Sequence, residues 1–139
     1  SCVNQYNTVT DKHIAVSLKN DKLTAWDAIA AYFTEAVINV PNKHRSMGCL
    51  LVNSLCESIN YDKEIKKVVR RSFATIRKAL LIRLKDAHKS GKIKKGLSAE
   101  FAADVLLNSL HGIRVNSRDG KNAKQLQELI NFTVSSLKK

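Results

Sequence analysis

Three cysteines, four histidines and a few amides set inside apolar runs are the residues of this chain whose types and spacing could do chemistry. Cys49 lies in the run Ser46-Met47-Gly48-Cys49-Leu50-Leu51-Val52-Asn53-Ser54, with Cys56 seven residues on. A thiol with basic neighbours is held partly as thiolate and reacts with oxidants or electrophiles, which makes Cys49 a candidate redox sensor. The apolar run around it favours the plainer role of a small buried hydrophobe. On one helix Cys49 and Cys56 stand two turns apart, a rise of about 10 Å, which is too far for a disulfide. With Cys2 the count is odd and has no framework spacing, which points to a reducing cytoplasm. His13, His44, His88 and His111 have no ligand spacing to one another or to the cysteines, so no metal is expected. A glycine-rich phosphate loop, a nucleophile elbow and a carboxylate pair in apolar surroundings are all missing. The chain is therefore not expected to be an enzyme, and no cofactor is expected.

Noncovalent binding is the chemistry that remains. Trp26, Tyr32, Phe33, Met47, Phe73, Asn108 and His111 are aromatic, polarisable or polar groups within apolar stretches, and they are the candidate ligand contacts. Plain core packing is the commoner fate of such aromatics and of a methionine. Asn53 and Asn108 are more suggestive, because a buried amide needs partners that a ligand or water can supply. Arg77 and His111 are outer polar candidates: a guanidinium pairs with an anionic group, and both residues also fit a solvated strip.

The elements that must position these groups read as helices. The 139 residues hold 44% hydrophobic residues, one proline and five glycines, which suits one domain of a few long helices better than many short strands. No apolar run is long enough to cross a bilayer, and Ser1–Asn20 lacks the apolar region of a signal peptide. The formal net charge of +12 is spread along the chain without aromatic interleaving, so a solvated lysine-rich face is favoured over a nucleic-acid surface.

Residues 1–19 are ambiguous, with Val3, Tyr6 and Val9, then Ile14 and Leu18, at helical spacing. Thr24-Ala25-Trp26-Asp27 reads as an N-cap and opens a helix with Trp26, Ile29, Ala30, Phe33 and Val37 on one face, which Pro41 ends. A further helix is expected over about Lys43–Ser58, although its short apolar run also fits a buried strand. From Asp62 to about Ser90 the stripe Ile65, Val68, Val69, Phe73, Ile76, Leu80, Leu84 and Ala87 predicts a long helix stopped by Ser90-Gly91. Ser98 caps a helix reaching about Arg118 with two apolar faces, Ala99, Ala103, Leu106, Leu110 and Ile113 on one, Phe101, Val105, Gly112 and Val115 on the other. The last helix, about Ala123–Leu137, carries Leu126, Ile130, Val134 and Leu137, widened by Leu129 and Phe132. A terminal helix apolar on two sides predicts a partner subunit.

Three segments, in order and spacing, resemble the effector-binding domain of the TetR family of bacterial transcription regulators. They are Gly48-Cys49-Leu50-Leu51-Val52-Asn53, then Ser90-Gly91-Lys92-Ile93 followed by Leu97-Ser98-Ala99-Glu100, then Leu106 to Val115 with the terminal helix after it. The match runs from about Thr24 to Leu137. It implies an all-α bundle of about six helices whose last two pair with their copies in a four-helix homodimer interface. Leu106, Leu110, Ile113, Leu126, Ile130, Val134 and Leu137 are the expected interface residues. It also implies a cavity for a small organic effector, lined by the helices starting near Thr24, Lys43, Asp62 and Ser98, which controls operator DNA binding by a helix-turn-helix. Nothing in residues 1–139 resembles that DNA reader, so residues 1–20 are expected to be the end of the helix connecting to it. A helical protein–protein adaptor and a basic nucleic-acid-binding module are the alternatives, separated from a sensor by the presence of a ligand cavity and by how the lysines cluster.

Overall fold

Each helix boundary in the computed structural model has a local chemical cause. The structure describes residues 2–40, 63–118 and 122–139. Helix α1 spans Cys2–Val16, α2 spans Ala25–Phe33, α3 spans Lys63–Lys89, α4 spans Ala99–Arg118 and α5 spans Ala123–Leu137. The ambiguous first segment is thus helical. The Thr24 hydroxyl accepts from the Asp27 amide and opens α2. Ser98 does the same for α4 through the Phe101 amide at 3.0 Å. Asn122 and Gln125 form a reciprocal capping box at the start of α5. Gly91, at a φ of 67°, takes the left-handed conformation that ends α3. One feature was not legible in the sequence. α2 does not stop cleanly but widens into a π-helical turn, Thr34–Ile38, in which the Asn39 amide bonds the Thr34 carbonyl.

The hydrophobic stripes meet in one core. α3 packs against α1, α2 and α4, while α5 closes the far side against α2 and α4. Tyr32, Phe33, Ile76, Leu80, Leu84, Leu106, Leu110, Leu126 and Ile130 are fully buried. α1 and α3 run in the same direction: Asn7–Asp11 lie beside Arg71–Thr75, and Leu18–Leu23 beside Arg83. The return after α1 is held by Arg83, whose Nε donates to the Leu18 carbonyl at 2.7 Å, Nη1 to Leu23 at 3.0 Å and Nη2 to Asn20 at 2.6 Å. The loop from α3 to α4 is clasped by the C-terminus. Lys94 donates to the Leu137 carbonyl, Lys139 donates to the Lys92 carbonyl, and the Trp26 indole N–H donates to that same carbonyl at 3.0 Å.

One expectation needs correcting. Leu106, Leu110, Ile113, Leu126, Ile130, Val134 and Leu137 do not form an outward surface; all are buried in the core of the chain itself. The physical reason is that α4 and α5 pack on α2 and α3 as well as on each other, and these residues are the stripe that does so. The second apolar face of the same helices is the exposed one: Phe101 is 55% exposed and Phe132 76%, with Val115 and Leu129 beside them in class. No helix of the described residues is long and apolar enough to cross a membrane.

Replacing Arg83 removes its hydrogen bonds to three carbonyls in the return after α1, of which that of Asn20 keeps the Leu23 amide. Arg83→Ala is expected to lower unfolding free energy by about 2–4 kcal/mol in urea titration. Arg83→Lys should recover only part of it, because an ammonium lacks the planar fork. Unchanged stability in Arg83→Ala would remove the anchoring role.

Candidate functional site

The structure brings two of the sequence-derived ligand candidates together, Phe73 on α3 and His111 on α4. Their rings lie 4.3 Å apart, tilted by 45°. Phe73 comes from the inward stripe of α3, and His111 follows Leu110 on the buried side of α4, so both are partly covered. By sequence, His111 fits a solvated strip as well as an outer polar contact. In the structure Arg114 is buried at 8% exposure, and His111 is half-buried. Burial is the main force that lowers the His111 pKa from 6.5 to about 4, and the positive charge of Arg114 adds to it. The imidazole is therefore neutral at pH 7, with one ring nitrogen able to accept and the other to donate. Its Nδ1 is buried and has no hydrogen-bond partner within the protein. An aromatic face, a neutral imidazole with an unsatisfied nitrogen and a nearby buried arginine are groups of the kind that contact an apolar molecule bearing one polar group.

The other candidates sit elsewhere. Arg77 is at the surface end of the same helix pair, where its Nε donates to Asp104 at 2.8 Å and its Nη2 reaches the Glu100 carbonyl at 3.5 Å. Asn108 points to solvent, so it is not the buried amide it was expected to be. Tyr32 and Phe33 form an edge-to-face pair with centroids 6.1 Å apart in the solid core. Trp26 is buried with its N–H given to the Lys92 carbonyl, which makes it a packing residue of the loop clasp. Met47 and Cys49, with the Gly48–Asn53 motif, lie outside the described residues. No group of three or more metal-ligating side chains gathers among the described residues. Arg114, Ser72 and Ser117 are buried polar residues that sequence reasoning missed. For Arg114 the available signal was its position three residues after His111, on the same side of α4.

The architecture has a solved counterpart. The crystal structure of a TetR transcriptional regulator from Chloroflexus aurantiacus J-10-FL superposes with a TM-score of 0.72, covering 98% of this chain and 70% of that one at 16% sequence identity. The chain has the fold of a TetR transcriptional regulator. No protein-family profile matches its sequence, and no curated protein does either. The backbone arrangement is thus shared while most residues differ.

The depressed His111 pKa predicts a pH dependence. Below pH 6.5 the unfolded chain binds a proton at this position that the folded chain refuses until about pH 4. His111 therefore contributes stability that is fully present above pH 6.5 and is lost as pH falls toward 4. Urea midpoints between pH 7 and 4 should fall more steeply in the natural chain than in His111→Gln, and the imidazole proton shifts should show no titration near pH 6.5. A midpoint near 6.5 for this ring would contradict the burial.

Proposed function

We propose that residues 1–139 are the effector-sensing and dimerisation unit of a TetR-like bacterial transcription regulator, with residues 1–20 the end of the helix that connects to a helix-turn-helix. In this reading the unit has no enzymatic activity and works in the cytoplasm. A small, mostly apolar organic molecule binds inside each subunit against Phe73 and His111. Its presence changes the spacing of two DNA readers, and operator DNA is touched only through them. The observation that carries the reading is the fold likeness over nearly the whole chain. The unsatisfied His111 nitrogen beside the Phe73 ring supports the placement of the ligand.

Dimerisation rests on the exposed apolar face of α4 and α5. Phe101, Val115, Leu129 and Phe132 are large apolar side chains left in water on the two terminal helices, which is an unfavourable arrangement for a lone subunit. A two-fold axis laying this face on its copy covers all of them at once, as an isologous interface does. The basic residues give little support to the nucleic-acid-binding alternative: exposed lysines occur on α1, on α3, along the loop after it and on α5, not on one element.

Two measurements test this. Light scattering at micromolar concentration should give a dimer, and Phe132→Glu should give a folded monomer, because that side chain is 76% exposed in its own chain. By contrast, Leu110→Ala should lower stability by about 2–5 kcal/mol as a core truncation. A thermal-shift screen of small apolar compounds, some with an anionic group, should find ligands that stabilise the chain by about 2.7 kcal/mol at a hundredfold excess over Kd. Phe73→Ala should abolish that response. A dimer whose melting temperature no compound raises would favour the protein–protein adaptor instead.

A further inference from the structure

A second, chemically different cleft lies between α1 and α3. It has a volume of about 130 Å³ and is bounded by Asn7, Thr10, Asp11, Arg71, Ser72 and Thr75. Ser72 and Thr75 face α1 here, whereas Phe73 and Arg77 on the same helix face α4. The wall is polar and partly unsatisfied. Ser72 is only 6% exposed, and its Oγ has no hydrogen-bond partner in the protein. The Asn7 Oδ1 is buried and equally without one. Thr10 is buried at 3% exposure. A pair of parallel helices usually fills such a seam with apolar side chains, so buried amide and hydroxyl groups here need a partner from outside the chain.

The mouth of the cleft carries one charge of each sign. The Asp11 carboxylate and the Arg71 guanidinium are both exposed, and among the described residues neither is engaged in an ion pair. The available volume corresponds to about four waters, or to a solute of about six or seven non-hydrogen atoms. Opposite charges flanking neutral hydrogen-bonding groups, in a space of that size, match a small zwitterion. We propose that the α1–α3 cleft binds an α-amino acid with a small side chain, its carboxylate toward Arg71 and the Ser72 hydroxyl, its ammonium toward Asp11 and the Asn7 Oδ1. An apolar effector does not fit these walls, and the site is independent of the one at Phe73 and His111. Occupation ties the N-terminal half of α1 to α3 by hydrogen bonds that the protein alone does not make.

The probes are L-serine and L-alanine, with glycerol as a neutral solute of similar size. Titration of the ¹⁵N-labelled chain should show saturable shifts confined to the amides of residues 7–11 and 71–75. Arg71→Ala and Asp11→Ala, both surface changes, should each weaken binding about tenfold or more. Ser72→Val places a side chain in the cleft and should abolish binding in a chain that circular dichroism shows to be helical. Phe73→Ala should bind L-serine normally, which separates this site from the apolar one. Absence of saturable binding by either amino acid would overturn the proposal. So would glycerol binding as tightly as L-serine, or an unchanged affinity in Arg71→Ala.

Discussion

The bundle depends on how the end of α1 is fixed to α3. A helix C-terminus leaves carbonyls without partners, and a chain reversal over Leu18–Leu23 adds more. Arg83 meets three of them with one planar guanidinium. The geometry demands arginine, since the three acceptors spread over a fork that an ammonium would not span. Because α3 is also the helix on which α1, α2 and α4 pack, this contact sets the register of α1 against the rest of the core. It further places Leu18 and Ile14 in the interior at one end of α1, while the other end borders a polar cleft. The end of α1 and the return after it are thus held by Arg83 and by the buried Ile14 and Leu18, while residues 7–11 border the polar cleft.

The helices were legible in the sequence because their signals are local. Thr24 and Ser98 cap from one side of a turn, Gly91 stops α3 from the other, and the α3 stripe keeps one period from Ile65 to Ala87. What escaped was the direction each apolar face points. In α4 the stripe through Leu106 and Leu110 and the stripe through Phe101 and Val115 are equally hydrophobic on paper. Only the positions of α2 and α3 decide that the first is interior and the second exposed. A helix with two apolar faces announces two contacts, and its sequence does not say which contact is made within the chain.

The candidate site was legible to the same limited degree. Phe73 and His111 were identified as residues, yet their pairing across α3 and α4 depends on an antiparallel register that sequence spacing does not carry. Asn108 failed because an amide beside apolar residues is buried only if its own side of the helix is covered. Arg114 shows the opposite case: its residue type suggests water, whereas a long side chain can bury its stem and keep a partner for its head. In each case residue type was weighed and helical phase relative to the neighbours was missing.

The polar groups on either side of α3 give the proposed sensor a physical basis. On the α4 side an aromatic ring and a neutral imidazole are suited to an apolar ligand. On the α1 side Ser72 and Asn7 leave a seam short of hydrogen bonds. A ligand against Phe73 shifts α3 only as far as its packing allows, and cores resist such shifts because they are close-packed. In the seam on the other side, the Asn7 Oδ1 and the Ser72 Oγ have no hydrogen-bond partner within the protein. In the proposed sensor, a small displacement of α3 would be converted into a change in angle of α1 about its anchored end at Arg83. A rigid helix pivoting at one end magnifies displacement with distance from the pivot, so the largest movement falls at the start of α1, which is the end nearest the helix-turn-helix in the proposed arrangement.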